Sequence, residues 1–110
     1  MSDFKRSIFE KFGGKCAYCG NEITINNMTI DHVIPRSEGG SNSYLNCFPS
    51  CSRCNSIKAN GTIEEMRDSI IYSVQKLKTD RNFQMARKYK MISSLSEEVT
   101  FYFEEVSKEA

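Results

Sequence analysis

The chain is short of almost everything a large core needs. Of its 110 residues only 39% are hydrophobic, which leaves room for one domain around a single thin core. A chain of this size often needs a staple, and a structural metal supplies one. No apolar run reaches the roughly 18 residues of a membrane span, so no membrane partner is expected. The opening Met-Ser-Asp-Phe-Lys-Arg lacks the apolar core of a signal peptide. The expected compartment is therefore a reducing cytosol, where closely paired cysteines favour zinc over disulfides. A dominant charge is lacking as well. The formal net charge is +1, and it argues neither for nor against nucleic acid. The sequence shows no internal repeat, no low-complexity segment and no helix-turn-helix or other base-reading module. Histidine is almost missing: His32 is the only one.

What is present is concentrated between Cys16 and Lys58. Cys16-Ala-Tyr-Cys19 and Cys51-Ser-Arg-Cys54 are two Cys-x-x-Cys pairs. Each spacing lets one knuckle supply two sulfurs to a tetrahedral metal, so the four fit a structural zinc with a closed coordination shell. Such a site leaves no position for substrate, and any catalysis must come from elsewhere. Redox dithiols are the alternative, but they lack the βαβ context in which such motifs sit. The fifth cysteine, Cys47, precedes Phe48 and reads as a small buried residue.

Around the knuckles the pattern is mixed. Residues 3 to 12 read as a helix with Phe4, Ile8, Phe9 and Phe12 on one face, Asp3 as its cap and Gly13-Gly14 as its stop. Ile23–Ile25 and Met28–Ile30 read as strands of a hairpin turned by Asn26-Asn27. The second strand continues through Asp31-His32 and ends before Pro35. Neighbours on a strand face opposite sides, so a site using both Asp31 and His32 needs a bend or an end there. Arg36 to Tyr44 is a polar loop. A short helix runs from the second knuckle through Lys58 to a stop near Asn60-Gly61. Thr62-Ile-Glu-Glu65 is a capping box that opens a helix to about residue 78. A further helix follows from Asp80, with Phe83, Ala86, Tyr89 and Ile92 inward. Val99–Phe103 alternates and reads as a strand. Lys76, Lys78, Arg81, Arg87, Lys88 and Lys90 form a basic cluster, followed by acidic Glu97, Glu98, Glu104, Glu105 and Glu109. That pairing is either a phosphate-facing surface beside a solvated tail or an ordinary charged helix face.

The order Cys16-x-x-Cys19, Asp31-His32-x-x-Pro35, Asn46, then Cys51-x-x-Cys54-Asn55-x-x-Lys58 resembles the His-Asn-His (HNH) endonucleases over roughly residues 12 to 60. The resemblance implies an α+β fold: a small zinc-stabilised ββα-metal, treble-clef-like unit over 1–61. A helical extension over 62–110 is added, packed on the same domain. It implies His32 as general base, Asn46 as the asparagine that orients the base and braces the loop, and Asp31 and Asn55 as ligands of a catalytic divalent ion. With no histidine nitrogen in that set, Mg²⁺ or Mn²⁺ suits it better than Zn²⁺. The implied partner is DNA, cut to a 5′-phosphate and a 3′-hydroxyl in a bacterial or phage-infected cell. Arg36, Arg53, Lys58 and, in the basic cluster, Lys88 are candidate phosphate contacts. Residues 62–110 either extend the DNA-facing surface or mediate dimerisation or protein binding. The rival readings are a non-catalytic zinc module for nucleic acid or protein, and a regulatory interaction protein.

Overall fold

The computed structural model describes residues 2–93 and 95–109, with side chains through residue 107. Met1 and the Glu109 side chain, part of the acidic tail, lie outside the described residues. The elements in order are α1 (Asp3–Glu10), β1 (Thr29–His32), β2 (Cys47–Ser50), α2 (Ser52–Lys58), α3 (Ile63–Lys78), α4 (Arg81–Lys88) and α5 (Tyr102–Glu109). The class is mixed α+β, as the sequence implies.

Helix α1 is capped by Ser2, whose hydroxyl accepts from the Lys5 amide at 3.1 Å. Asp3 is therefore not the cap. It lies in the first turn, where the helix dipole favours an acid. Ile8 is fully buried, whereas Phe4 is exposed. The chain then turns through Gly13 and Gly14, both at positive φ, into the first knuckle.

The expected 23–30 hairpin does not form. Thr24 and Asn27 bond to each other's backbone instead: the Thr24 amide donates to Asn27 Oδ1 at 2.8 Å, and the Asn27 amide donates to Thr24 Oγ1 at 3.2 Å. The Met28 amide closes the turn on the Thr24 carbonyl at 2.9 Å. Short polar side chains that satisfy local backbone in this way compete with a strand ladder. Ile23 and Met28 are buried from inside this turn. β1 pairs antiparallel with β2, across the long loop, in the register Ile30↔Pro49 and His32↔Cys47. The missing amide of Pro49 costs little in a two-stranded sheet, and its carbonyl accepts from Ala17 at 2.9 Å. Strand β2 leads directly into α2, so the ββα unit is β1, β2 and α2.

Helix α3 opens on the expected capping box. Thr62 and Glu65 exchange both bonds, at 3.0 and 3.1 Å. In α4 Phe83 and Ala86 are half-buried, but Tyr89 and Ile92 are exposed, because the helix ends at Lys88. The expected final strand is a correction too. The Tyr102 and Phe103 amides donate to the carbonyls of Tyr18 and Ala17 at 3.0 and 2.8 Å, but the chain then coils into α5. Phe101 is buried, and its ring meets Tyr18 edge-on at 5.4 Å between centroids. Gly20 accommodates this docking. Its φ is +76°, and a Cβ there would stand 3.0 Å from the Tyr102 ring. One core results, built from Ile8, Cys16, Tyr18, Cys47, Cys54, Met66 and Phe101.

Candidate functional site

Two separate sites grow from the ββα unit. The first is the cysteine cluster. The sulfurs of Cys16, Cys19, Cys51 and Cys54 all lie within 4.8 Å of one another. Cys19 and Cys51 are 3.9 Å apart, close to the roughly 3.8 Å edge of a tetrahedron with 2.3 Å metal–sulfur bonds. Amides already point at the sulfurs: the Cys51 N–H at Cys16 Sγ, and the Cys54 N–H at Cys51 Sγ, both at 3.4 Å. Burial pushes the Cys16 thiol up, but the amides of Cys19, Cys51 and Tyr18 outweigh it and bring the group down to about 7. This cluster can hold a zinc ion. Cys47 lies outside it, 1% exposed, and its thiol is pushed up by burial.

The second site is a cavity of about 560 Å³ at the end of β1, lined among others by Ile30, His32, Arg36 and Asn55. Strand alternation decides what enters it. Ile30 and His32 face the cavity, and Asp31 turns to the opposite, buried side. Asp31 is 4% exposed. Its Oδ2 accepts from the Tyr18 hydroxyl at 2.5 Å and sits 3.3 Å from Lys58 Nζ. Burial, and then the charge of Asp31, push the Tyr18 phenol far above its ordinary range. Lys58 is itself 3% exposed, and its ammonium also donates to the His32 carbonyl at 2.9 Å. The lysine expected to face solvent and hold a phosphate is therefore a buried counter-charge. It lies three residues beyond Asn55 on α2, but it reaches inward to the back of β1.

The loop between the strands is held by Asn46. Its Nδ2 donates to the carbonyls of Ser41 at 2.8 Å and Ile34 at 3.1 Å, and its Oδ1 accepts from the Ile34 amide at 2.9 Å. Lys11 anchors the loop's far end, with Nζ on the carbonyls of Tyr44 and Cys47 at 2.6 and 3.0 Å. No bond joins Asn46 to His32. Asn42 makes that contact, with Oδ1 2.8 Å from His32 Nε2. Sequence reading missed Asn42, because nothing in Ser41-Asn42-Ser43 distinguishes it from a solvated loop. Of the candidate phosphate contacts, Arg36 lines the cavity, Arg53 is exposed on α2, and Lys88 is exposed on α4 outside the cavity lining.

Residues 16–61 match the family model described as HNH endonuclease. The CRISPR-associated endonuclease Cas9 of Corynebacterium diphtheriae is 45% identical over 47 residues, 42% of this chain and 4% of the relative. That of Actinomyces naeslundii is 39% identical over 49 residues, 44% of this chain and again 4% of the relative. The chain thus spans only about 4% of the length of these curated relatives. The match begins at Cys16 and ends at Gly61, enclosing both knuckles, the His32–Asn55 cavity and the Asn46 brace: over residues 16–61 the chain is similar to the HNH endonuclease family.

Proposed function

We propose that this chain is a metal-dependent DNA endonuclease or nickase, acting in the cytoplasm and built on a structural zinc. One observation carries the reading: His32, the single histidine, and Asn55 line one cavity together with Arg36. His32 takes a proton from water, and the resulting hydroxide attacks the phosphorus while the 3′-oxygen leaves. At neutral pH an imidazole can accept that proton. Arg36 places a guanidinium where a flanking phosphate would lie. Asn46 keeps the loop over the cavity.

The oxygen donors, an Asn55 amide in the cavity and the Asp31 carboxylate behind it, suit Mg²⁺ or Mn²⁺. Such an ion would neutralise charge that grows on the phosphate. Asp31 joins this set only when its carboxylate parts from Lys58, the cation it now faces. That pairing is the observation favouring the second reading, a zinc module that binds nucleic acid without cutting it.

Plasmid cleavage by zinc-loaded protein decides between them. With Mg²⁺ or Mn²⁺ the protein should nick or linearise supercoiled DNA. Leaving out the divalent ion, or changing His32→Ala with zinc content intact, should abolish cleavage. Zinc-loaded protein that binds DNA yet cuts none of supercoiled, linear or single-stranded forms would establish the second reading.

A further inference from the structure

We propose that Asn42 is the positioning residue of His32, fixing which of its ring nitrogens is free to accept a proton. The inference rests on the reading of His32 as the base, and it goes beyond that reading by assigning the tautomer. A neutral imidazole has one N–H donor and one bare acceptor nitrogen. Asn42 Oδ1 stands 2.8 Å from His32 Nε2, and an amide oxygen only accepts. Nε2 therefore carries the proton, and Nδ1 is the acceptor.

Asn42 does not reach this place by chance of a mobile loop. The Asn46 amide holds the Ser41 carbonyl at 2.8 Å and grips both backbone groups of Ile34. The residue before Asn42 is thereby tied to the segment just after His32. The Gly40 amide donates to the Pro35 carbonyl at 2.9 Å. A Cβ on Gly40 would stand 1.7 Å from the Ile34 carbonyl oxygen, so the chain closes this tightly only with glycine there. Three contacts thus bring the loop back over the end of β1, and Asn42 is its point of contact with the ring. Among the described residues, the other charged groups near His32 make no hydrogen bond to its ring. Lys58 bonds its backbone carbonyl, Asp31 faces the opposite side of the strand, and Arg36 shares the cavity.

The test uses the zinc-loaded full chain, without DNA or divalent ion, at one mildly alkaline pH. One histidine gives one set of ring signals in a proton–nitrogen correlation spectrum. Wild type should show Nε2 protonated and Nδ1 bare, with the two nitrogens far apart in shift. In Asn42→Ala the tautomers should mix and the two shifts move together. In Asn42→Asp, which keeps an accepting oxygen, the separation should return. Zinc content should be equal in all three. In the cleavage assay Asn42→Ala should lower kcat about tenfold with KM unchanged, a part of the 10²–10⁴-fold that a positioned base contributes, and Asn42→Asp should restore it. Nδ1 protonated in wild type, or one unchanged ring pattern across the three proteins, would overturn the assignment. A wild type that never cleaves would sink the nuclease reading, while the ring spectrum would still decide the role of Asn42.

Discussion

At the scale of single residues, the most consequential finding is the pairing of Asp31 with Lys58. Both are almost fully buried, and the Tyr18 hydroxyl completes the group. Removing one member of a buried pair leaves the other charge uncompensated, which costs about 3 kcal/mol or more, whereas replacing both together is far milder. Lys58→Met should therefore lower stability by about 3 kcal/mol. Asp31→Asn combined with Lys58→Met should recover much of that loss. Denaturant melts of the two single variants and the double variant, each zinc-loaded, measure the coupling. Additive losses would mean the pair is not a unit. The motif Asp31-His32-x-x-Pro35 located the functional stretch, but it could not separate the two side chains. Only the strand's alternation, with no bend before His32, sends one into the cavity and the other behind it. Lys58 was misplaced for a related reason. Spacing along α2 puts it near Asn55, but the buried acid it reaches is invisible in the sequence.

At the scale of elements, what was legible followed from local chemistry. The Thr62–Glu65 box specifies its helix through bonds within four residues, and the two knuckles specify their own geometry. The 23–30 hairpin was lost to local bonds between Thr24 and Asn27, whereas the fate of the last segment depended on partners far along the chain. Val99–Phe103 has strand composition, but its bonds to the knuckle come from the neighbouring Tyr102 and Phe103 amides, the first two of α5, and not from alternate residues of a strand. Its fate was settled by Glu104, whose carboxylate accepts from the Phe101 amide at 2.9 Å and from Arg67 of α3. The end of α2 carries a further local irregularity. Ala59 has φ 51° and ψ −129°, and the Gly61 amide donates to the Lys58 carbonyl at 2.9 Å. This is a type II′ turn with alanine where glycine is preferred. Ala59 also lines the cavity, and strain of this kind concentrates at functional sites. Ala59→Gly should relieve it and raise stability by about 1 kcal/mol in thermal or denaturant melts. Unchanged or lower stability would show that the turn holds no such strain.

At the scale of the whole molecule, the chain is longer than its residue count suggests. Its radius of gyration is 16.4 Å, with extents of 52 × 28 × 28 Å, against about 13 Å for a compact domain of this length. Helix α3 buries only Met66, and α4 has no buried residue, so these two helices draw little support from the core. An isolated eight-residue helix is marginal in water. The core itself is thin and closes around the cysteine cluster, with α5 bonded by its first amides to Tyr18 and Ala17. A Cys₄ zinc contributes on the order of 10–16 kcal/mol in small domains, as much as the whole stability of a typical fold, about 5–15 kcal/mol. Zinc removal should therefore unfold β1, β2, α2 and α5 together. Hydrogen exchange on the zinc-loaded protein should show these elements protected and α4 exchanging quickly. After a strong chelator, or in Cys51→Ser, protection should vanish from all four at once, while α4 hardly changes. If α5 kept its protection without the metal, the C-terminal half would be a unit of its own, and its bonds to the knuckle would be a docking contact between two parts that fold separately.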